Sequence, residues 1–108
     1  MDSYFKYLAI LAKSNKELEL SNDERLLLDV VATAIHKGKV IYVKDLLVLN
    51  EIASQATLHK ALTNLVNKKL LAFKATKEDG RLKEVVLTKI ANKRYEMLSK
   101  AIEQAVKK

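Results

Sequence analysis

The feature that most limits what this chain can fold into is an absence. Its 108 residues hold no proline and only two glycines, Gly38 and Gly80. Proline and glycine are the strongest breakers of regular structure, so helices can run long here and each glycine marks a stop or a turn. Residues 4–12 are apolar almost all round, through Tyr4, Phe5, Tyr7, Leu8, Ala9, Ile10, Leu11 and Ala12, with only Lys6 between them. A helix without a polar face needs burial on more than one side, which a second subunit can supply. Residues 14–22 are polar and read as a connection. Ser21 with Glu24 three residues on is a capping box, so a second helix opens there. Leu26, Leu27, Val30, Val31, Ala34 and Ile35 then recur at helical spacing, and Gly38 ends the run.

The pattern then shortens. Val40, Ile41, Tyr42 and Val43 are β-branched or aromatic and predict a short strand. Residues 44–49 predict a short helix, with Asn50 as its stop. Ser54 is a good N-cap, and Leu58, Ala61, Leu62, Leu65 and Val66 form the cleanest helical stripe in the chain. Beyond Leu70 the period changes to two. Leu71, Phe73 and Ala75 alternate, as do Val85 and Leu87, around a charged turn at Asp79-Gly80. Thr88 caps a last helix in which Ala91, Tyr95, Leu98, Ile102 and Ala105 make a seam for packing against another helix. The expected class is mainly α with a small β-hairpin, in the order α-α-β-α-α-β-β-α. Residues 1–108 form one expected domain: an N-terminal helix and connection at 1–20, a helix-turn-helix core with its hairpin at 21–88, and a C-terminal helix at 89–108.

Charge says what such a domain could meet. The formal net charge is +7. It is unevenly spread: residues 1–29 sum to −2 and the rest to +9. Between positions 52 and 77 there are five lysines and no acid. A basic surplus of this kind suits a polyanion. Two helices joined by a tight turn and followed by a hairpin make a winged helix-turn-helix, in which one helix fits the major groove, the preceding helix braces it and the hairpin reaches the flanking backbone or minor groove. The expected recognition helix covers residues 54–68. With its stripe turned inward, Ala56, Lys60, Thr63, Asn64 and Asn67 point outward, flanked by Gln55, Thr57 and His59. No carboxylate on that helix would repel phosphate. Gln55, Thr57, His59, Lys60 and Asn64 are the expected base readers. Lys44, Lys60, Lys68, Lys69, Lys74 and Lys77 are the expected phosphate contacts.

Four short stretches resemble the multiple-antibiotic-resistance regulator (MarR) type of winged-helix transcription factors, over about positions 23–92. They are Ala53-Ser54-Gln55-Ala56-Thr57-Leu58, Leu65-Val66-Asn67-Lys68-Lys69-Leu70-Leu71, Asp79-Gly80-Arg81 and Val85-Val86-Leu87-Thr88. The resemblance implies that Arg81 at the wing tip enters the minor groove and that Asp79 supports it. It also implies a dimeric transcription regulator. Two positions depart from that pattern: Lys69 and Ala91 stand where such proteins commonly have glycine. The chain is also short for the type, with a reduced dimerisation region that leaves little space for a small-molecule effector.

The remaining features bound the partners. The sequence has no cysteine, which excludes disulfides and thiolate metal sites. His36 and His59 have no second imidazole at ligand spacing, so no metal or other cofactor is expected. His36 is placed to favour a helix C-terminus. No glycine-rich phosphate loop and no glycine-flanked serine is present, and the acid pairs Glu17/Glu19 and Glu78/Asp79 sit in polar surroundings, so an enzyme is not expected. The start lacks a signal-peptide pattern, no apolar run reaches a membrane span and residues 4–12 have too few basic residues for a membrane surface. The expected protein is a cytoplasmic homodimer bound to double-stranded DNA, with dimer contacts through Tyr4, Phe5, Leu8, Leu11, Tyr95, Leu98 and Ile102. The alternative is a winged helix that reads a protein surface, which the acid-free lysine run disfavours.

Overall fold

The computed structural model describes residues 2–75 and 83–106. Helix α1 runs Asp2–Glu17, α2 Asn22–His36, α3 Val43–Leu46 and α4 Gln55–Asn67. Strands β1 (Leu71–Ala75) and β2 (Lys83–Leu87) pair antiparallel, with Leu71 opposite Leu87 and Phe73 opposite Val85. Helix α5 (Lys89–Val106) closes the order. The strand expected before α3 shrinks to one bridge between Tyr42 and Glu84, with the Val85 N–H donating to the Ile41 carbonyl at 2.8 Å. Asp45 explains why the backbone turns helical so soon: its carboxylate accepts the Tyr42 N–H at 2.9 Å and starts α3.

The core forms where the apolar stripes of α2 and α4 meet the hairpin. Leu27, Leu28 and Val31 from α2, Leu46 from α3, Leu58 and Leu65 from α4, and Leu70, Leu71 and Val85 are all fully buried. The i, i+3, i+4 spacing in α4 puts Leu58, Ala61, Leu62 and Leu65 on one side, and all four are inside. Phe73 shares the inner side of the hairpin with Leu71 but lies past the edge of the core. It is 42% exposed, with the Lys83 ammonium 5.6 Å from its ring centroid.

Three helices end in the same way, and only one of them has the residue that suits the ending. After α2, Gly38 takes φ 77° while its N–H donates to the Ile35 carbonyl and that of Lys39 to Ala34. This is the Schellman pattern, in which the residue past the cap adopts left-handed backbone. After α1 the pattern repeats with Glu19 at φ 54°, and after α4 with Lys69 at φ 62°. The matching pairs are Glu19 to Lys16 with Leu20 to Asn15, and Lys69 to Val66 with Leu70 to Leu65. A side chain at such a position costs about 1–2 kcal/mol. At both sites burial of the following leucine helps hold the turn: Leu20 is half-buried and Leu70 fully buried.

Residues 14–17, expected as connection, belong to α1. Ser14 is buried, and its hydroxyl accepts a hydrogen bond from Arg94 of α5 at 2.9 Å. The Arg94 side chain is itself buried, lies 5.4 Å from the Tyr95 ring, and has partnerless Nε and Nη2 atoms among the described residues. Its position at the last turn of α1 sets a cation against the negative end of that helix. Helices α1 and α5 therefore pack on each other within one chain. Leu98, expected as a dimer contact, is buried in its own chain. Tyr95, from the same set, is half-buried and donates its O–H to Asp29 of α2 at 2.7 Å. Burial, and then the Asp29 carboxylate, push the Tyr95 phenol well above its ordinary value. Both side chains face inward because a seam cut for helix packing finds α1 and α2 before any second copy.

Candidate nucleic-acid interface

The interface is built on α4. Ser54 caps it, its hydroxyl accepting the Thr57 N–H at 3.3 Å and donating to the Thr57 hydroxyl oxygen at 3.0 Å. The first-turn N–H groups of a helix otherwise lack partners. The cap fixes the start of the helix and leaves the Thr57 hydroxyl proton available to an outside acceptor. The buried stripe turns the opposite face to solvent. Gln55, Ala56, Thr57, His59, Lys60, Thr63 and Asn67 are all exposed. The Thr63 hydroxyl donates to the His59 carbonyl at 2.9 Å, so toward a ligand it can only accept. Lys44, Lys69 and Lys74 are exposed as well. Lys77, Asp79 and Arg81, the expected wing contacts, lie outside the described residues.

Two of the expected contacts are otherwise engaged. Asn64 does not point outward: it is half-buried, and its amide donates to the Glu24 carboxylate at 3.0 Å. The Lys68 ammonium sits 2.5 Å from the other Glu24 oxygen and also donates to the Glu19 carbonyl. Glu24 is buried and still makes its capping-box bond to the Ser21 N–H, at 3.3 Å. Burial pushes its carboxyl up, but the bonds from Lys68, Asn64 and Ser21 outweigh that and hold it below its ordinary value. The sequence marked Glu24 only as a helix cap. Positions 64 and 68 are polar, one turn apart and beside the apolar stripe, which is the one signal that pointed to an inward polar partner.

A shallow groove of about 260 Å³ lies where the start of α2 meets α4, lined by Asp23, Glu24, Thr57, Lys60 and Asn64 among others. It places an acid beside Lys60, so the basic face has one negative edge. Among the described residues no helix is long and apolar enough to cross a membrane. No group of three or more His, Cys, Asp or Glu side chains there could hold a metal ion.

No family model matches this sequence, and no curated protein does. Solved structures do. MepR of S. aureus, in a crystal structure of a MepR–DNA complex, superposes with a TM-score of 0.72 at 18% identity, over 89% of this chain and 69% of MepR. The adhesin competence repressor AdcR of Streptococcus pyogenes gives a TM-score of 0.61 at 20% identity, over 97% and 72% of the two chains. A MarR-family transcriptional regulator from Silicibacter pomeroyi gives 0.56 at 21%, over 96% and 66%. From α2 through the hairpin to α5, this chain has the winged helix-turn-helix fold of the MarR-type regulators.

Proposed function

We propose that this chain is a sequence-specific double-stranded DNA-binding transcription regulator that works as a homodimer in the cytoplasm. The observation that carries the proposal is the outer face of α4. It is an exposed run of amide, hydroxyl, imidazole and ammonium groups without a carboxylate, on a helix braced from behind by α2. Amides and hydroxyls read base edges in the major groove, and lysines neutralise phosphates. Gln55, Thr57, His59 and Lys60 are the proposed readers, with Ala56 permitting close approach. Thr63, Lys69 and Lys74 flank them. Asn64 and Lys68 are left out of the set because Glu24 holds them. The relative solved with DNA has the same fold, which supports the assignment. The charge of the sequence adds Lys77 to the proposed phosphate contacts, and the resemblance to MarR-type regulators implies Arg81, supported by Asp79, in the minor groove.

A second copy is proposed at the α1–α5 end. Tyr4, Phe5 and Ile102 are exposed there, together with Ile10 and Met97. Leu8 and Leu11 are half-buried at the same place. Closed two-fold pairing would set two recognition helices about one DNA turn apart.

Selection of bound duplexes from a random pool, with the mass of the complex measured alongside, tests both parts. An enriched palindrome and a dimer mass are expected. With about eight phosphate contacts per dimer, the slope of log affinity against log salt should be near −7. No enrichment, together with a flat salt titration, would overturn the DNA assignment and leave a protein-binding winged helix. A monomer mass unchanged by DNA would overturn the dimer.

A further inference from the structure

Lys68 is a cation on the flank of the recognition helix that points away from its outer face. It is the C-cap residue of α4, and its neighbour Lys69 occupies the left-handed position of the closing turn. Its ammonium donates to the carbonyl of Glu19, which occupies the corresponding left-handed position after α1, and to the buried carboxylate of Glu24 at the start of α2. One side chain thus joins the ends of three helices: the close of α1, the opening of α2 and the close of α4. Asn64, one turn earlier on α4, binds the second oxygen of the same carboxylate. The two contacts fix both the rotation of α4 about its axis and its height against α2.

We propose that Lys68 is a positioning residue, clamping the recognition helix to the α1–α2 turn through Glu24 and Glu19, and is not a phosphate contact. The proposal rests on the DNA-binding assignment for its consequence. A charge already paired with a buried carboxylate releases no counterion when DNA arrives, so it adds nothing to the salt slope. It acts instead by holding α4 in the pose that meets the groove. Loosening the clamp lowers the fraction of molecules ready to bind, and apparent affinity falls by that fraction. The clamp also links the end of α1, in the proposed dimer arm, to the end of the reading helix.

The test uses the full chain with Lys68→Met, Lys68→Arg, Glu24→Gln and, for comparison, Lys60→Met. Methionine keeps most of the aliphatic stem of lysine and removes the ammonium, with its charge and its hydrogen bonds to Glu19 and Glu24. Duplex binding is titrated with salt. Lys60→Met should flatten the slope by about 0.9 per subunit. Lys68→Met should leave the slope unchanged while weakening binding by roughly threefold to tenfold at every salt concentration. Lys68→Arg should restore affinity, since a guanidinium can bridge the same carbonyl and carboxylate. Glu24→Gln should steepen the slope, by up to about 0.9 per subunit, because the released ammonium can then reach phosphate. If Lys68→Met flattens the slope as much as Lys60→Met does, the proposal is overturned. If the parent binds no duplex, the DNA assignment fails, and the clamp is then judged from melting of the free protein. Non-additive melting of Glu24→Gln and Lys68→Met supports it, and simple additivity overturns it.

Discussion

The two ends of the molecule close their apolar surfaces to different degrees. Around α2, α4 and the hairpin, Leu27, Leu28, Val31, Leu58, Leu65, Leu71 and Val85 are fully buried, the other large aliphatic side chains are at least partly covered, and the polar groups beside them are paired through Glu24, Asn64, Lys68 and Thr88. At the α1–α5 end, Tyr4 is 62% exposed, Phe5 58% and Ile102 48%. The buried Arg94 there has one hydrogen-bond partner among the described residues, the Ser14 hydroxyl. A region that satisfies itself can hold a reading helix rigidly. A region that leaves aromatic and aliphatic groups in water is suited to be finished by another surface. The proposed reading face and the proposed assembly face thus fall on different ends, joined by α5 and by the end of α1.

The sharpest way to break that contrast is to damage each end and vary the protein concentration. Leu65→Ala removes a fully buried side chain from α4. It should cost about 2–5 kcal/mol, and thermal melting should report a loss of that size at any protein concentration. Phe5→Ala removes an exposed ring and should cost the single chain little. It should weaken dimerisation by roughly tenfold, about 1.4 kcal/mol, seen by sedimentation or light scattering across a dilution series. If Phe5→Ala melts like the parent at every concentration and leaves the mass unchanged, the α1 face is ordinary surface.

A smaller effect tests how far the reading end is optimised. Lys69 holds φ 62° with a side chain that disfavours it. Lys69→Gly should raise stability by about 1 kcal/mol in melting experiments. It should also flatten the salt slope of DNA binding by about 0.9 per subunit, since a cation is lost. Stability and affinity are expected to move in opposite directions in this one variant.

The mildest effect is confined to acid. Glu24 is held below its ordinary value of 4.5 in the folded chain. Its contribution to stability is therefore complete above that value and is lost as pH falls through the lower folded one. A plot of melting temperature against pH should bend downward there, and Glu24→Gln should shallow the bend. An identical acid limb in parent and variant would show that other carboxylates set it.

Much of this was legible in the residue order, for reasons that particular positions make plain. Ser21 with Glu24, and Ser54 before α4, are local chemistry: each cap bonds within three residues, so spacing alone specifies it. The stripe through Leu58, Leu62 and Leu65 is equally local, because a fixed helical period puts those side chains on one side. The short strand expected at positions 40–43 reduces to a bridge because β-branched residues state only a preference for extended backbone, and a strand also needs a neighbour. Only Tyr42 found one, while the Asp45 cap turned the next residue helical. Ser14 and Arg94 were opaque for the opposite reason: polar side chains that usually face water became buried when α1 packed on α5.

By itself, then, the sequence determined most of the elements, the inner face of α4 and its acid-free outer face. These depend on backbone periodicity, cap chemistry and charge, all set within a few residues. Tertiary structure decided which polar groups remained available to a partner. Asn64 and Lys68 carry the same chemistry as Gln55 and Lys60, and both pairs lie on one helix. They part company because Glu24, forty positions before Asn64 in sequence, comes to rest against one flank of that helix as the chain folds. A buried carboxylate must be paired, so it takes the nearest donors and removes them from the surface that remains to meet a ligand.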